Sequence, residues 1–263
     1  MLFKNMTPID LTLTIDERFP TTWPLHVPFV RRTWNYFEEE THGAEVWMDS
    51  CGPYFTEVLI MDEHIATHFD APSHFVPEHG PTNGNHDAIT GDLVLLDQFV
   101  GNAVCIDVRS LVANTAGESP WIEPEHVEAH EAVMGRQLTA SDVVLFRSDW
   151  DQKYQSMPEG KSYAFDVIVL KKSIGWAAPS VATIRLLLDR GVRCVGTDGA
   201  SMGAAHDGAV AHIEGLSNGQ VFVEGLAHLA QVPSSGGTFQ FMPIKIARSS
   251  GGPGRAVVWV PRS

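Results

Sequence analysis

Cysteine is scarce in this chain of 263 residues, which holds only Cys51, Cys105 and Cys194, far apart and odd in number. That excludes a disulfide framework and a CxxC metal knuckle, and it fits a reducing compartment. Long apolar runs are missing as well. No stretch approaches the roughly eighteen consecutive apolar residues that span a bilayer, and the start, Met1 to Pro8, lacks the continuous apolar segment of a secretory signal. The expectation is a soluble cytoplasmic protein with no membrane partner. Positive charge is also sparse: 18 Lys and Arg stand against 32 Asp and Glu, a formal net charge of −14, and no basic run occurs. Nucleic-acid affinity comes mainly from Lys and Arg neutralising phosphates, so a nucleic-acid partner is excluded. Internal repeats, low-complexity tracts and linker-like stretches are absent, which predicts one domain over residues 1–263.

What is present reads as a packed α/β protein. Hydrophobic residues make up 44% and charged residues 19%, too apolar and too weakly charged for a disordered chain. Residues 1 to 60 are rich in aromatics, from Phe3 through Phe19, Trp23, Phe29 and Trp34 to Trp47 and Phe55, broken by Pro20, Pro24 and Pro28. Each proline removes a donor and restricts its predecessor, so the segment cannot be one regular element. It reads as core or subunit-interface packing, or as an aromatic wall over a substrate pocket. Beyond residue 90 strands and helices alternate. Ala103–Val108 and Asp142–Arg147 are short apolar runs suited to the middle of a sheet. A helix is predicted over 123–135, with acid in its first turn and Gly135 as its stop. A second runs from Pro179, with Val181, Ile184, Leu187 and Leu188 on one face, to Gly191, and a strand over 192–196 follows. The tail reads as a wide hairpin: a strand from Thr238 to Ala247, a loop from Ser249 to Gly254, and a strand from Ala256 to Val260.

The chain has twelve histidines, and their clustering carries the chemistry. In the run from His64 to His74, the side chains of His64, His68, Asp70 and His74 all share one parity. Pro72 drives Ala71 out of the helical region, and Thr67 and Phe69 suit extended chain, so a strand is expected from 68 onward. Alternate side chains of a strand share a face about 6.6 Å apart, which lets His68 and Asp70 meet one ion. His64 would lie roughly 13 Å away in a straight strand, whereas metal ligands sit within about 2.2 Å of the ion. The chain must therefore curl between 64 and 68, where the small Ala66 leaves room; without that curl His64 serves no common ion. Two imidazoles and a carboxylate, without thiolates, suit a catalytic Zn²⁺, Mn²⁺ or Fe²⁺ that keeps a position for water. His79 and His86 fall in a polar loop and read as solvated. Glu224, inside the apolar run Val221–Leu226, is either a fourth ligand or an edge carboxylate facing water. His206, Asp207, His212 and Glu214 lie nearby in the chain. Gly199-Ala200-Ser201-Met202-Gly203 spells a nucleophile-elbow pattern, which offers Ser201 to a serine hydrolase, although Gly203 and Gly208 weaken the helix that should follow.

With these residues set out, the chain resembles the cyclase family of metal-dependent hydrolases, whose signature HxGTHxDxPxH is matched by His64, Thr67, His68, Asp70, Pro72 and His74, with Ala66 in place of the glycine. The resemblance extends through Asp10-Leu11-Thr12, Val143 to Ser148, Val195 to Asp198, His212 to Glu224 and Gly251 to Ala256. That family includes isatin hydrolases and bacterial kynurenine formamidases. Asp62-Glu63-His64, with Gly52-Pro53-Tyr54-Phe55 before it, looks more like the former. The resemblance implies a compact swivelling β/β/α fold with a mixed sheet and flanking helices, usually dimeric. It implies His64, His68 and Asp70 as metal ligands and His74 as the catalytic histidine, and His212 and Glu224 match a histidine and glutamate twelve apart near the metal. It also implies Mn²⁺ or Zn²⁺, one ion or two. The activity implied is metal-dependent opening of a cyclic amide or cleavage of an N-formyl amide on a small aromatic substrate. A dication lowers the pKa of its water from roughly 15.7 towards about 7, and His74 passes that water's proton to the departing nitrogen, while His212 or the backbone near Ser201 steadies the oxyanion. A lactone hydrolase on the same site is an alternative, as is a non-catalytic metal-binding protein whose ion is closed off by protein atoms.

Overall fold

The computed structural model describes residues 5–37, 52–77 and 89–262. The expectations for Phe3, Trp47, Cys51, His79 and His86 lie outside the described residues. The chain opens with β1 (Met6–Asp10), a hairpin of β2 (Val30–Tyr36) and β3 (Phe55–Ile60), and the three-residue β4 (His68–Asp70). Next come β5 (Val100–Asp107), the short β6 (Trp121–Ile122), helix α1 (Pro124–Met134) and β7 (Asp142–Arg147). A single-turn α2 (Phe165–Ile168) precedes β8 (Ala178–Pro179), α3 (Val181–Asp189) and β9 (Cys194–Thr197). The chain closes with α4 (Ala209–Ser217), β10 (Val221–Glu224), β11 (Gly237–Pro243) and β12 (Gly251–Pro261).

Eight strands form one mixed sheet in the order β1-β12-β11-β5-β7-β9-β10-β4, and β4 pairs again with β12, which closes the sheet into a barrel-like form. Strands β5, β7, β9 and β10 are parallel. Both faces of these central strands are covered, so they read as continuous apolar runs rather than alternating ones. Leu145, Val223, Phe239 and Phe241 fill the interior of the closed sheet. Val144, Phe146, Val195 and Phe222 point the other way, onto Val127 of α1, Ile184 and Leu187 of α3 and Ala211 of α4. This is the mixed sheet with flanking helices that the family resemblance implies. A third cluster around Trp150, Tyr163 and Trp176 receives Phe19, Trp23 and Phe29 from the aromatic N-terminal segment.

The helices begin and stop for local reasons. Gly135 closes α1 at φ 70°, a left-handed conformation that glycine adopts at little cost. The second predicted helix starts later than Pro179. That residue belongs to β8, and Ser180 caps α3 by accepting from the Thr183 N–H at 3.3 Å. The tail differs from expectation in one way that matters for the site. Its first strand ends at Pro243, and residues 251–254, expected in a loop, are the first part of β12. There Gly251 and Pro253 stand opposite Asp70 and His68 of β4.

Candidate metal centre

Strand β4 is three residues long and lies between β10 and β12. Its middle residue, Phe69, packs into the core against Phe99 at a ring separation of 4.9 Å, so His68 and Asp70 share the opposite face. The curl that the spacing demands is present: Ala66 sits at φ 52°, a conformation costly for a residue with a Cβ. Both of its backbone polar groups are held, since its N–H donates to Thr22 Oγ1 at 2.7 Å and its carbonyl accepts from His68 Nδ1 at 3.0 Å. His64 is thereby carried back over the strand, its Nδ1 2.9 Å from Asp70 Oδ1.

The hydrogen bonds fix which nitrogens face inward. His68 Nδ1 meets a carbonyl, which only accepts, so that nitrogen carries the proton and Nε2 presents its lone pair. That Nε2 lies 3.6 Å from Asp70 Oδ1 and 3.5 Å from Glu224 Oε2. His212 on α4 repeats the pattern. Its Nδ1 donates to Gly208 O at 2.6 Å, and its Nε2 lies 3.0 Å from Glu224 Oε1 and 3.2 Å from Asp70 Oδ2. His74, in the turn Pro72–His74 after β4, stacks on His64 with ring centroids 3.9 Å apart. Glu224 faces inward from β10 and also accepts from the Met202 N–H, so it is not an edge carboxylate.

Two buried carboxylates thus converge with the lone pairs of buried imidazoles, an arrangement that needs positive charge at its centre. The carboxylates favour the protonated form of the imidazoles that face them. Burial alone would lower the His212 pKa, yet Asp70 and Glu224 push it up to about 10. His68 is likewise raised against its burial by Glu224 and Asp70. Burial opposes ionisation of Asp70, but His74, His212 and His64 hold its carboxyl well below the ordinary value. Burial takes His74 down to about 4, with His64 and His212 adding to the fall and Asp70 opposing it. Among the described residues no hydrogen bond reaches Asp70 Oδ2, although the atom is buried. Two overlapping donor sets meet at this carboxylate, His64–Asp70–His74 and His68–Asp70–Glu224, each with ligand atoms within 4.8 Å of one another. The residues fit a divalent cation: the donors are nitrogen and oxygen, as Zn²⁺ or Mn²⁺ accepts, and two buried carboxylates gather on imidazole nitrogens.

This cluster forms the floor of a cavity of about 390 Å³. Trp23 and Phe75 supply apolar wall, and Phe75 stacks on His212 at 4.3 Å. Ser201 also lines the cavity, with Oγ 3.4 Å from Glu224 Oε1. Among the described residues no hydrogen bond joins it to an imidazole, and the segment after Gly203 turns rather than continuing as a helix. His206 reaches the same cavity, but its Nδ1 accepts from the Ser119 N–H at 3.1 Å. Glu214 points away and pairs with Arg185 at 3.0 Å. The free thiols of Cys105 and Cys194 are buried, and burial raises each to about 12. Sequence reasoning missed His26, which lines the cavity 3.4 Å from Asp62 Oδ1, and Thr22, which pins the curl. Neither has a local motif, and only the spacing between the proline-rich segment and the ligand strand could have hinted at them.

Comparison with known proteins places the chain in a family. Isatin hydrolase of Roseibium aggregatum is 25% identical over 229 residues, 82% of this chain and 79% of that protein. Kynurenine formamidase of Erythrobacter litoralis is 24% identical over 242 residues, 87% of this chain and 94% of its own length. Isatin hydrolase A from Labrenzia aggregata, solved bound to benzyl benzoate, superposes with a TM-score of 0.78 at 26% identity, covering 98% of this chain and 95% of that one. Residues 9–204, most of the chain, match the family described as Putative cyclase, and the protein belongs to that family.

Proposed function

We propose that this protein is a metal-dependent amidohydrolase that opens a cyclic amide or cleaves an N-formyl amide of a small aromatic substrate, in the manner of an isatin hydrolase. One observation carries the reading: two overlapping donor sets, His64–Asp70–His74 and His68–Asp70–Glu224, meet at the buried carboxylate of Asp70, at the floor of a cavity walled by Trp23 and Phe75. His64, His68 and Asp70 hold the ion, Mn²⁺ or Zn²⁺, with Glu224 as a further ligand. When bound, the ion supplies Lewis acidity toward a carbonyl oxygen and makes water acidic near neutral pH.

The chain's own residues do the rest. Burial keeps His74 neutral at neutral pH, so it has a free nitrogen with which to take a proton from the attacking water. The water oxygen bonds to the amide carbon, the C–N bond breaks, and His74 returns the proton to the departing nitrogen, leaving a carboxylic acid and an amine. His212 is anchored through Nδ1 on Gly208, and with Nε2 protonated, as Asp70 and Glu224 favour, it can donate to the developing oxyanion. Trp23 and Phe75 hold the aromatic ring and exclude water around it. The β2–β3 hairpin presents Tyr36, Phe55, Val58, Leu59 and Ile60 to solvent, an apolar patch that suits an interface in a homodimer or higher homo-oligomer. Among the described residues no helix is long and apolar enough to cross a membrane.

The test is metal analysis of protein purified without added metal, followed by hydrolysis assays on isatin and N-formylkynurenine with and without a chelator. Loss of activity on chelation and its return with Mn²⁺ or Zn²⁺ supports the reading. Activity indifferent to chelators and abolished by a serine-directed acylating reagent would transfer the chemistry to Ser201.

A further inference from the structure

His64 differs from the other inward-facing histidines in what holds its outer nitrogen. His68 and His212 each donate Nδ1–H to a backbone carbonyl and turn Nε2 inward. His64 does the reverse: Nδ1 faces Asp70 Oδ1 at 2.9 Å, and Nε2 lies 2.8 Å from Ser250 Oγ. Ser250 is the residue before β12, and both its N–H, at 3.1 Å, and its hydroxyl donate to Glu63 Oε1. Its carbonyl accepts from the Ala71 N–H at 2.8 Å, which ties it to the turn that carries His74. Glu63 Oε1 itself is 3.9 Å from His64 Nε2, beyond hydrogen-bond reach.

Counting protons settles the tautomer. A serine hydroxyl has one hydrogen, and a carboxylate can only accept. The Ser250 proton therefore goes to Glu63, and what His64 Nε2 meets is an oxygen lone pair, so Nε2 must carry the hydrogen. A neutral imidazole has only one, which leaves Nδ1 with its lone pair directed at Asp70 Oδ1, itself an acceptor. Two acceptors at that separation repel unless a second proton on Nδ1 or a metal cation lies between them, and a bound metal takes the place of that proton.

The structure assigns Glu63 and Ser250 as a positioning pair that selects the tautomer of His64, so that His64 ligates through Nδ1 while His68 ligates through Nε2. This rests on the metal reading above and adds two residues that neither touch the ion nor belong to the histidine motif. Outer partners of this kind typically tune metal affinity by about 10–100-fold.

The decisive variants are Glu63→Gln and Ser250→Ala, with Ser250→Thr as the conservative partner. In E63Q the amide can donate to Ser250 Oγ, which frees the serine proton to turn toward His64 Nε2 and favours the wrong tautomer. Mn²⁺ and Zn²⁺ affinities, measured by competition with a chromophoric chelator, should fall about 10–100-fold in E63Q and S250A and return toward wild type in S250T. Nitrogen-15 NMR of the Zn²⁺-loaded wild type should show His64 protonated at Nε2, and E63Q should lose that signature. A purely structural staple would lower the melting temperature of the metal-free protein and leave affinity and tautomer alone, and that result overturns the pair's role. Wild-type protein that binds neither metal would instead overturn the metal reading, and this inference with it.

Discussion

Replacing Gly251 with alanine tests the architecture of the site without touching any ligand. At this position β12 runs against Asp70 of β4. An added Cβ would lie 2.1 Å from Phe69 O and 2.8 Å from His64 Cε1, whereas unstrained carbon contacts fall at about 3.5–4.0 Å. The nearer obstacle is main chain of the ligand strand and cannot rotate aside, so β12 and β4 must separate or His64 must be displaced. Overpacking of this kind costs about 1–3 kcal/mol, offset by about 0.4–1 kcal/mol because alanine restricts the unfolded chain, which leaves a net loss of about 1–2 kcal/mol. A displacement of about 1 Å at a reacting group costs roughly 100-fold in rate. The control is Gly135→Ala at the end of α1, where φ is 70° and nothing lies within 4 Å of the new Cβ. It should lose about 1–2 kcal/mol from left-handed strain alone. Urea denaturation of the metal-free proteins should place the two variants close together, while metal affinity and turnover fall only in G251A. Equal metal affinity and turnover in both would refute the claim that the absent side chain at 251 shapes the site.

The other expectations concern the ligands, acid stability and assembly. His74→Ala should keep its metal and lose about 10²–10⁴ in turnover, while Asp70→Ala should lose both, as read by metal content and steady-state rates; metal loss in the His74 variant would make it a ligand instead. Asp142 is buried, which opposes its ionisation, but Arg136, the Thr139 N–H and Asn102 hold its carboxyl below the ordinary value. The stability it contributes is therefore full above the ordinary carboxyl pKa of about 3.9 and drains away as pH falls through the lowered value. Asp142→Asn should cost about 1–2 kcal/mol at neutral pH, trimmed by the partial exposure of Arg136, and should flatten the acid limb in urea titrations between pH 2 and 7. An unchanged limb would deny Asp142 that role. Val58→Glu on the exposed hairpin should shift the protein toward monomer in sedimentation velocity, and an unmoved sedimentation coefficient would place the interface elsewhere.

The candidate metal-binding motif was legible because its spacing acts locally. Same-parity spacing, Pro72 and the small residue at 66 determine a strand and a curl before any tertiary contact is considered. Helix α3 was legible for a similar reason, since Ile184 and Leu187 repeat at helical spacing and both are buried. What escaped is held by distant chain. Thr22 is 44 residues from the peptide it pins, and Ser250 is 186 from the imidazole it meets. Asp198 shows the same limit. Its carboxylate accepts from the main-chain N–H groups of Ser148 and Asp149, about fifty residues away, and burial raises it to about 7.

The misread tail has a different cause. Glycine and proline are turn signals because they make poor strand interiors, so residues 251–254 read as a loop. That rule assumes a strand is held by side chains packing on its neighbours. At Gly251 the neighbour is the backbone of β4, 2.1 Å from where a Cβ would lie, and the absent side chain is what makes that pairing possible. Ala66 presents the converse. Its left-handed backbone costs about 1–2 kcal/mol for any residue with a Cβ, a cost that the bonds of its N–H to Thr22 and its carbonyl to His68 offset at about 1 kcal/mol each. One of those bonds also fixes the tautomer of His68, so the strained residue and the orientation of a proposed ligand depend on the same peptide plane.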